Sequence, residues 1–299
     1  MLYAIASYFN PARYRSRLAN YHVFRQHMRE PLITVELSFD GEFELQEGDA
    51  TKLIQVRATD VMFQKERLLN LALDALPSDC DAVAWIDCDL LLPEGWAERA
   101  TEALRSFRLV HLFERHFNMN RDGAGRWQFG TSVARKLLTG EMTMDHFSAT
   151  APSLLETTWG GAWAAPRELL DTHRFYDTCV AGSGDVALFS AAAGGFDRPL
   201  FAMRMSPEWH RHFLAWARPF HEAIDGRITC LDGEMLHLWH GETEHRIYRE
   251  RYPQLQKFQF NPDEDLAMTP EGCWRWNSGK VEMQTWIAEY FRYRREDGE

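Results

Sequence analysis

The chain is 299 residues long, 45% hydrophobic and 26% charged, which suits one large α/β domain or two small ones around a substantial core. A net charge of -11 removes the bulk basic footprint of a nucleic-acid binder; a local patch at Arg13, Arg15 and Arg17 stays open, and the plainer reading of that run is the solvated face of an early helix. Five scattered cysteines without a CxxC pair, an N-terminus lacking signal-peptide features and the lack of any long apolar stretch point to a soluble protein in a reducing, cytoplasmic setting.

The first third alternates in the α/β manner. A short apolar run over 2–7 reads as a buried strand ending at the turn-forming Asn10-Pro11. A helix is expected over 13–27, stopped before Pro31, and strands over 33–39 and 53–56. Over 61–76 apolar residues recur at three- and four-residue steps (Val61, Leu68, Leu69, Ala72, Leu76), the stripe of an amphipathic helix closed by Pro77. Residues 82–86 then form a strand running straight into Asp87-Cys88-Asp89. This order predicts a largely parallel sheet with its ligand crevice at the carboxyl ends of the strands. Residues 118–158 read as a loop region near the active site. A helix over 210–224, a strand over 234–239 and a last helix over 281–294 follow, with no linker that divides the chain.

Asp87-Cys88-Asp89 is the sharpest local signal. Two carboxylates one residue apart, where an apolar strand gives out, can hold a divalent cation such as Mg²⁺ or Mn²⁺ against a pyrophosphate; otherwise they are a structural carboxylate pair. His237-Leu238-Trp239-His240-Gly241 is the second. Its histidines are either further ligands for that cation or diphosphate, or hydrogen-bonded core groups. Trp159-Gly160-Gly161-Ala162-Trp163 is a tight turn between core aromatics or an acceptor platform. In Ala181-Gly182-Ser183-Gly184-Asp185 the acid sits near a helix start, as an N-cap or as a general base facing the crevice. Eleven Trp and nineteen Phe exceed the usual needs of a core, so some are expected to line a cleft for sugars or bases. No dinucleotide, P-loop or nucleophile-elbow motif occurs.

Taken in order, these segments resemble the GT-A nucleotide-diphospho-sugar transferases, particularly a bacterial and viral group related to the family 2, 7 and 27 glycosyltransferases. The matching segments are ASYFNP, FQKERLLNLAL, VAWIDCDLLL, GGAWAAPRELL, FYD, GSGD, HLWHG, the later Arg246, Tyr248 and Arg249, and GCWRWNSGK. The resemblance covers most of the chain and is weakest over 118–158 and 196–233. It implies a GT-A (Rossmann-like) fold over 1–299 as one domain: a nucleotide-binding half (1–115), an acceptor half carrying the metal and phosphate histidines (116–251) and a C-terminal helical extension (252–299).

By the same resemblance, Ser7 and Tyr8 would hold the base and ribose, and Lys65, Arg67 and Asp87 would face the donor nucleotide. Asp87, Asp89, His237 and His240 would hold Mn²⁺ or Mg²⁺, with Asp89 the firmer ligand. Trp159, Gly160 and Gly161 would meet the acceptor, and Asp185 would activate its hydroxyl. Many relatives carry a second acidic residue or a third glycine where this chain has Gly-Ser-Gly-Asp, so the base rests on Asp185 alone. The implied activity is metal-dependent transfer from a nucleotide sugar, a UDP-sugar from family habit, slightly favoured as inverting. The acceptor stays open among a glycan, a small molecule, a protein and a hydroxymethylated DNA base. A catalytically silent carbohydrate-binding or scaffolding protein is the alternative class. A sugar-nucleotide pyrophosphorylase is less favoured, because Tyr8-Phe9-Asn10-Pro11 stands where its basic Gly-rich loop belongs.

Overall fold

The computed structural model describes residues 1–143, 156–248 and 250–298. Its strands are β1 (Leu2–Phe9), β2 (Leu32–Ser38), β3 (Lys52–Arg57), β4 (Ala82–Ile86), β5 (Leu90–Leu91), β6 (Leu109–His111), β7 (Arg115–Met119), β8 (Arg126–Ser132), β9 (Thr157–Thr158), β10 (Ala162–Pro166), β11 (Ile228–Cys230), β12 (Glu234–His237), β13 (Leu266–Met268) and β14 (Trp274–Trp276). The central sheet runs β11-β6-β10-β4-β1-β2-β3. Its β3-β2-β1-β4 half is parallel throughout and β10 is antiparallel to both its neighbours. The largely parallel α/β sheet expected from the sequence is present.

Period-two alternation assigns the side chains of this sheet to two cores. On β1, Ile5 and Phe9 enter one core while Leu2, Ala4, Ala6 and Tyr8 enter the other. On β4, Val83 and Trp85 take the first face, and Ala82, Ala84 and Ile86 the second. The first core is covered by the Lys65–Asp74 and Pro207–Ile224 helices, the second by the Arg15–His27 and Trp96–Ala103 helices. With both faces covered, β4 has no polar residue until it ends, which is why it reads as a continuous apolar run.

From β1 the chain steps outward to β2 and β3, then returns to place β4 on the other side of β1. That reversal opens a crevice at the carboxyl ends of β1 and β4, and Asp87-Cys88-Asp89 sits in it. A second sheet, β5-β12-β7-β8-β9, brings the histidine segment there. β5 follows the acidic triplet directly and pairs with β12 so that Leu90 faces His237. Leu238 N–H then donates to the Asp89 carbonyl at 2.9 Å.

Several expectations are corrected. The helix expected over 61–76 begins only at Lys65, because Phe63 N–H donates to the Val180 carbonyl at 3.0 Å and keeps 61–64 off the helix. The region 118–158 is not all loop: β7 and β8 form a hairpin across it, closed by Asn120 N–H to Gly125 carbonyl at 2.8 Å. The Val133–Leu138 helix follows, with Ser132 Oγ accepting from Arg135 N–H. Residues 144–155 of that stretch lie outside the described residues. The Arg13, Arg15 and Arg17 run is not one solvated face. Arg15 is exposed, but Arg17 turns inward to Glu296 at 3.0 Å. All five cysteines are free, and no described helix is long and apolar enough to cross a membrane.

Candidate active site

Because the helix after β3 starts at Lys65, its first turn points Lys65 and Glu66 into the crevice. Lys65 Nζ lies 2.6 Å from Asp87 Oδ1 and 3.0 Å from Asp185 Oδ2, so one ammonium ties the end of β4 to the start of the Gly184–Ala192 helix. Against the effect of burial, Asp185 and Asp87 hold Lys65 well above its ordinary pKa. Burial pushes Asp87 up to about 6, with Asp185 and Asp89 adding to the rise and Lys65 opposing it.

Asp89 has different company. Its Oδ2 lies 3.4 Å from His237 Nε2, and His237 Nε2 lies 2.8 Å from His240 Nε2. One ligand atom from each of Asp89, His237 and His240 falls within 4.8 Å of the others. Although burial works the other way, His237, His240 and Arg17 hold Asp89 well below the usual carboxylate range. Burial, with Arg246 and His237 beside it, keeps His240 well below the usual histidine range and therefore neutral, with a lone pair to give. Its Nδ1 is buried with no partner among the described residues. An ionised carboxylate and a neutral imidazole beside a second imidazole suit a first-row divalent ion such as Mn²⁺ better than Mg²⁺, which keeps to oxygen. Asp87 stands outside this trio, on Lys65.

Asp185 occupies the first turn of its helix, and Ser183, not Asp185, is the N-cap residue. Its carboxylate accepts from Lys65 and lies against Gly160, where a Cβ would come within 2.8 Å of Asp185 Cβ and closer still to its Oδ2. Gly161, at φ +101°, returns its carbonyl to Asp87 N–H at 2.8 Å. The glycine pair therefore lets the end of β4 and Asp185 meet. His111 supports that turn: Ser132 Oγ–H donates to its Nδ1 at 2.7 Å, and its Nε2–H donates to the Gly160 carbonyl at 3.2 Å. Burial pushes His111 down to about 3, so it serves as a neutral link.

Other expected residues are placed differently. Ser7 lies on β1, its carbonyl 3.7 Å from Cys88 Sγ. The Tyr8 ring is buried edge-on to Tyr21 at 5.3 Å, and its hydroxyl donates to Glu44 at 2.7 Å, so the ring offers no open face. The cleft beside it is lined by Asn10, Arg13, Glu36 and Asp40 among others, at the ends of β1 and β2. Arg67 is not in the cluster: its guanidinium is bound to Asp177 at 3.0 Å. Trp159 packs on the first core and under Arg198, at 5.7 Å from ring centre to Cζ, while Trp163 is fully buried.

Three groups at the site escaped sequence reasoning. Glu66 is buried against Gly184 and pushed up to about 8 by burial. His116, from β7, stands 5.2 Å ring to ring from His237 and is held by Thr158 and Asn118, both at 2.9 Å. Arg17, from the Arg15–His27 helix, is bound to Glu296 and its charge helps to hold Asp89 ionised. Only the adjacency of Glu66 to Lys65 on one helix turn was a visible signal.

No family model matches this sequence, and no curated protein does. Solved structures show distant likenesses. One is glucosyl-3-phosphoglycerate synthase from Mycobacterium tuberculosis in complex with Mn²⁺, UDP-glucose and glycerol 3-phosphate, at 16% identity over 92% of this chain and 86% of that one, TM-score 0.46. Another is S. aureus TarS in complex with UDP-GlcNAc, at 16% identity, TM-score 0.38; the match takes in 64% of this chain and 52% of that one, about half its length. A third is 4-diphosphocytidyl-2C-methyl-D-erythritol synthase from Anaerococcus prevotii, at 11% identity over 78% of this chain and 87% of that one, TM-score 0.36. Likenesses of this size leave the chemistry to be read from the residues.

Proposed function

We propose that this protein is a metal-dependent glycosyltransferase of the GT-A fold that moves a sugar from a UDP-sugar to an acceptor hydroxyl with inversion. The observation that carries the reading is the meeting of two groups at the end of β4: the Asp89, His237 and His240 trio, and the Asp87–Lys65–Asp185 bridge. The ordered segments that resemble this family supply the choice of donor.

Asp89, His237 and His240 would hold the cation, which supplies charge neutralisation for a departing diphosphate. The cleft at Asn10 and Asp40 lies where the base would enter. Asp185 takes the proton of the acceptor hydroxyl as its oxygen attacks the anomeric carbon; the bond from that carbon to the diphosphate oxygen breaks, and the nucleoside diphosphate leaves with the electron pair. Lys65 holds Asp185 and Asp87 in register across the reacting centre. Gly160 lets the backbone approach the Asp185 carboxylate, and His111 holds that turn through the Gly160 carbonyl.

The test is a panel of nucleotide sugars with Mn²⁺, read as release of nucleoside diphosphate. Metal-dependent release from a UDP-sugar supports the reading. Tight binding of a carbohydrate with no release from any donor would favour the silent binding protein instead.

A further inference from the structure

The C-terminal tail brings a charged cluster to the site that the transfer chemistry does not use. Glu296 is 1% exposed, and three guanidiniums close on its carboxylate. Arg294 Nη2 lies 2.6 Å from Oε1, Arg17 Nη1 3.0 Å from Oε2, and Arg246 Nη2 3.5 Å from Oε1. Arg246 and Arg294 are themselves buried. Three positive charges against one negative, taken out of water, are a costly arrangement unless a further anion joins them. Asp89 is the next anion, and it is already engaged with His237. Burial, with Arg246 and Arg17 nearby, brings Arg294 down to about 10 even though Glu296 is in contact with it.

Arg251 adds to the excess. Its hydrogen bonds go to the Ser183 hydroxyl and, at 3.3 Å, to the Tyr290 hydroxyl, both neutral. Tyr290 in turn donates to the Arg246 carbonyl at 2.9 Å, which joins the two arginines. The Nε–H groups of Arg17, Arg246, Arg251 and Arg294 are all buried with no partner among the described residues.

Local contacts hold the tail in place. Asp297 accepts from Ser16 N–H at 2.8 Å and Arg15 N–H at 3.0 Å, capping the first turn of the Arg15–His27 helix. The tail also lies on the histidine segment: a Cβ on Gly241 would stand 2.9 Å from Glu296 Cα. Arg246 Nη2 donates to the His240 carbonyl at 3.3 Å, so the cluster adjoins the Asp89, His237 and His240 trio.

We propose that Arg17, Arg246 and Arg294, backed by Arg251, form an anion site for a diphosphate group, and that Glu296 is a built-in anion which such a ligand displaces. The site holds fixed guanidinium donors suited to phosphate oxygens, and the tail carrying Glu296 is the part that yields. That the diphosphate belongs to a nucleotide-sugar donor rests on the function proposed above; the anion site does not.

The experiment uses the full chain in excess EDTA, so that no cation contributes, with inorganic pyrophosphate and UDP as separate probes. Pyrophosphate is expected to bind, and Glu296→Gln to bind it about tenfold more tightly because one competing carboxylate charge is gone. Arg246→Gln should bind it about tenfold more weakly. Pyrophosphate should also speed tryptic cleavage after Arg294 or Arg295 as the tail lets go. The proposal is overturned if Glu296→Gln binds no more tightly than the parent chain, or if pyrophosphate slows cleavage of the tail. Should Glu296→Gln fail to fold, the cleavage rate of the parent chain decides alone. Binding of pyrophosphate without binding of UDP would keep the anion site and remove the nucleotide donor as its source.

Discussion

Gly160 and Asp185 touch so closely that only a residue without a side chain fits between them: a Cβ on Gly160 would meet not only the carboxylate but Asp185 Cβ, at 2.8 Å. Rotating the carboxylate away therefore cannot relieve the contact, and the backbone of the Gly184–Ala192 helix or of the glycine pair must shift. Gly160→Ala is expected to cost about 1–3 kcal/mol of stability. It should also lower transfer by on the order of a hundredfold, because a proton acceptor moved from its position loses its contribution. Nucleotide affinity should change little. Turnover and UDP affinity measured on the folded variant check this, and wild-type turnover would remove Asp185 from the chemistry.

The trio of Asp89, His237 and His240 makes a prediction about metal that needs no turnover. Asp89→Ala should abolish Mn²⁺-supported nucleotide binding, and with it transfer, while the chain still folds. His240→Ala, which removes the neutral imidazole, should weaken Mn²⁺-supported binding by at least about tenfold. Asp87→Asn should affect it less, since Asp87 faces Lys65 at 2.6 Å and stands outside the trio. Calorimetric titration of Mn²⁺ with and without UDP distinguishes the three. Equal losses in Asp87→Asn and Asp89→Ala would restore the paired-carboxylate site that the spacing alone suggests.

Much of the scaffold was legible because its causes are local. β4 is buried on both faces, so its apolar run and the carboxylates that end it stand together in the chain. The Pro207–Ile224 and Val281–Tyr293 helices show their stripes for the same reason. The β7–β8 hairpin was hidden: a register shift between His116 and Phe117 breaks the alternation, and its residues are largely polar. Partners were less legible still. Lys65 meets Asp185 across 120 positions and Arg17 meets Glu296 across 279, and no periodicity records such a pairing. Arg67, next but one to Lys65, had equal standing as a nucleotide contact until Asp177 was seen to hold it.

Asp185→Asn separates a base from a structural acid. Asn keeps the size and one oxygen that can still accept from Lys65, which in the native chain approaches Oδ2 at 3.0 Å and Oδ1 at 3.3 Å. Lys65 keeps Asp87 as a charge partner but loses the charge of Asp185, so stability should fall by about 1–3 kcal/mol. Transfer should fall by about a hundredfold or more with near-normal nucleotide affinity, since the carboxylate that accepts the proton is gone while the oxygen that accepts from Lys65 remains. The readout is kcat against the affinity for UDP. A stable Asp185→Asn enzyme with wild-type kcat would leave Asp185 only its tie to Lys65, and the base would lie elsewhere.

Glu66 sets the pH dependence of stability at this site. It is buried against Gly184, and burial, reinforced by the charges of Asp185 and Asp87 and opposed by Lys65, raises its pKa from 4.5 to about 8. A carboxyl whose pKa is higher folded than unfolded binds more protons in the folded state between those two values. Its stabilising contribution is therefore whole below about 4.5 and is lost as the pH rises toward about 8. The slope for one such group is at most about 1.4 kcal/mol per pH unit. Asp87, raised to about 6, acts in the same direction over a lower window, so the parent chain alone does not isolate Glu66. Glu66→Gln does: it mimics the protonated form at every pH and leaves Asp87 in place. Urea unfolding at pH 5.5 and pH 8.0 should show the parent chain losing more stability across that interval than Glu66→Gln, by on the order of 2 kcal/mol. Parallel losses in the two chains would mean that Glu66 is already ionised in the folded protein at pH 5.5, with Lys65 outweighing its burial.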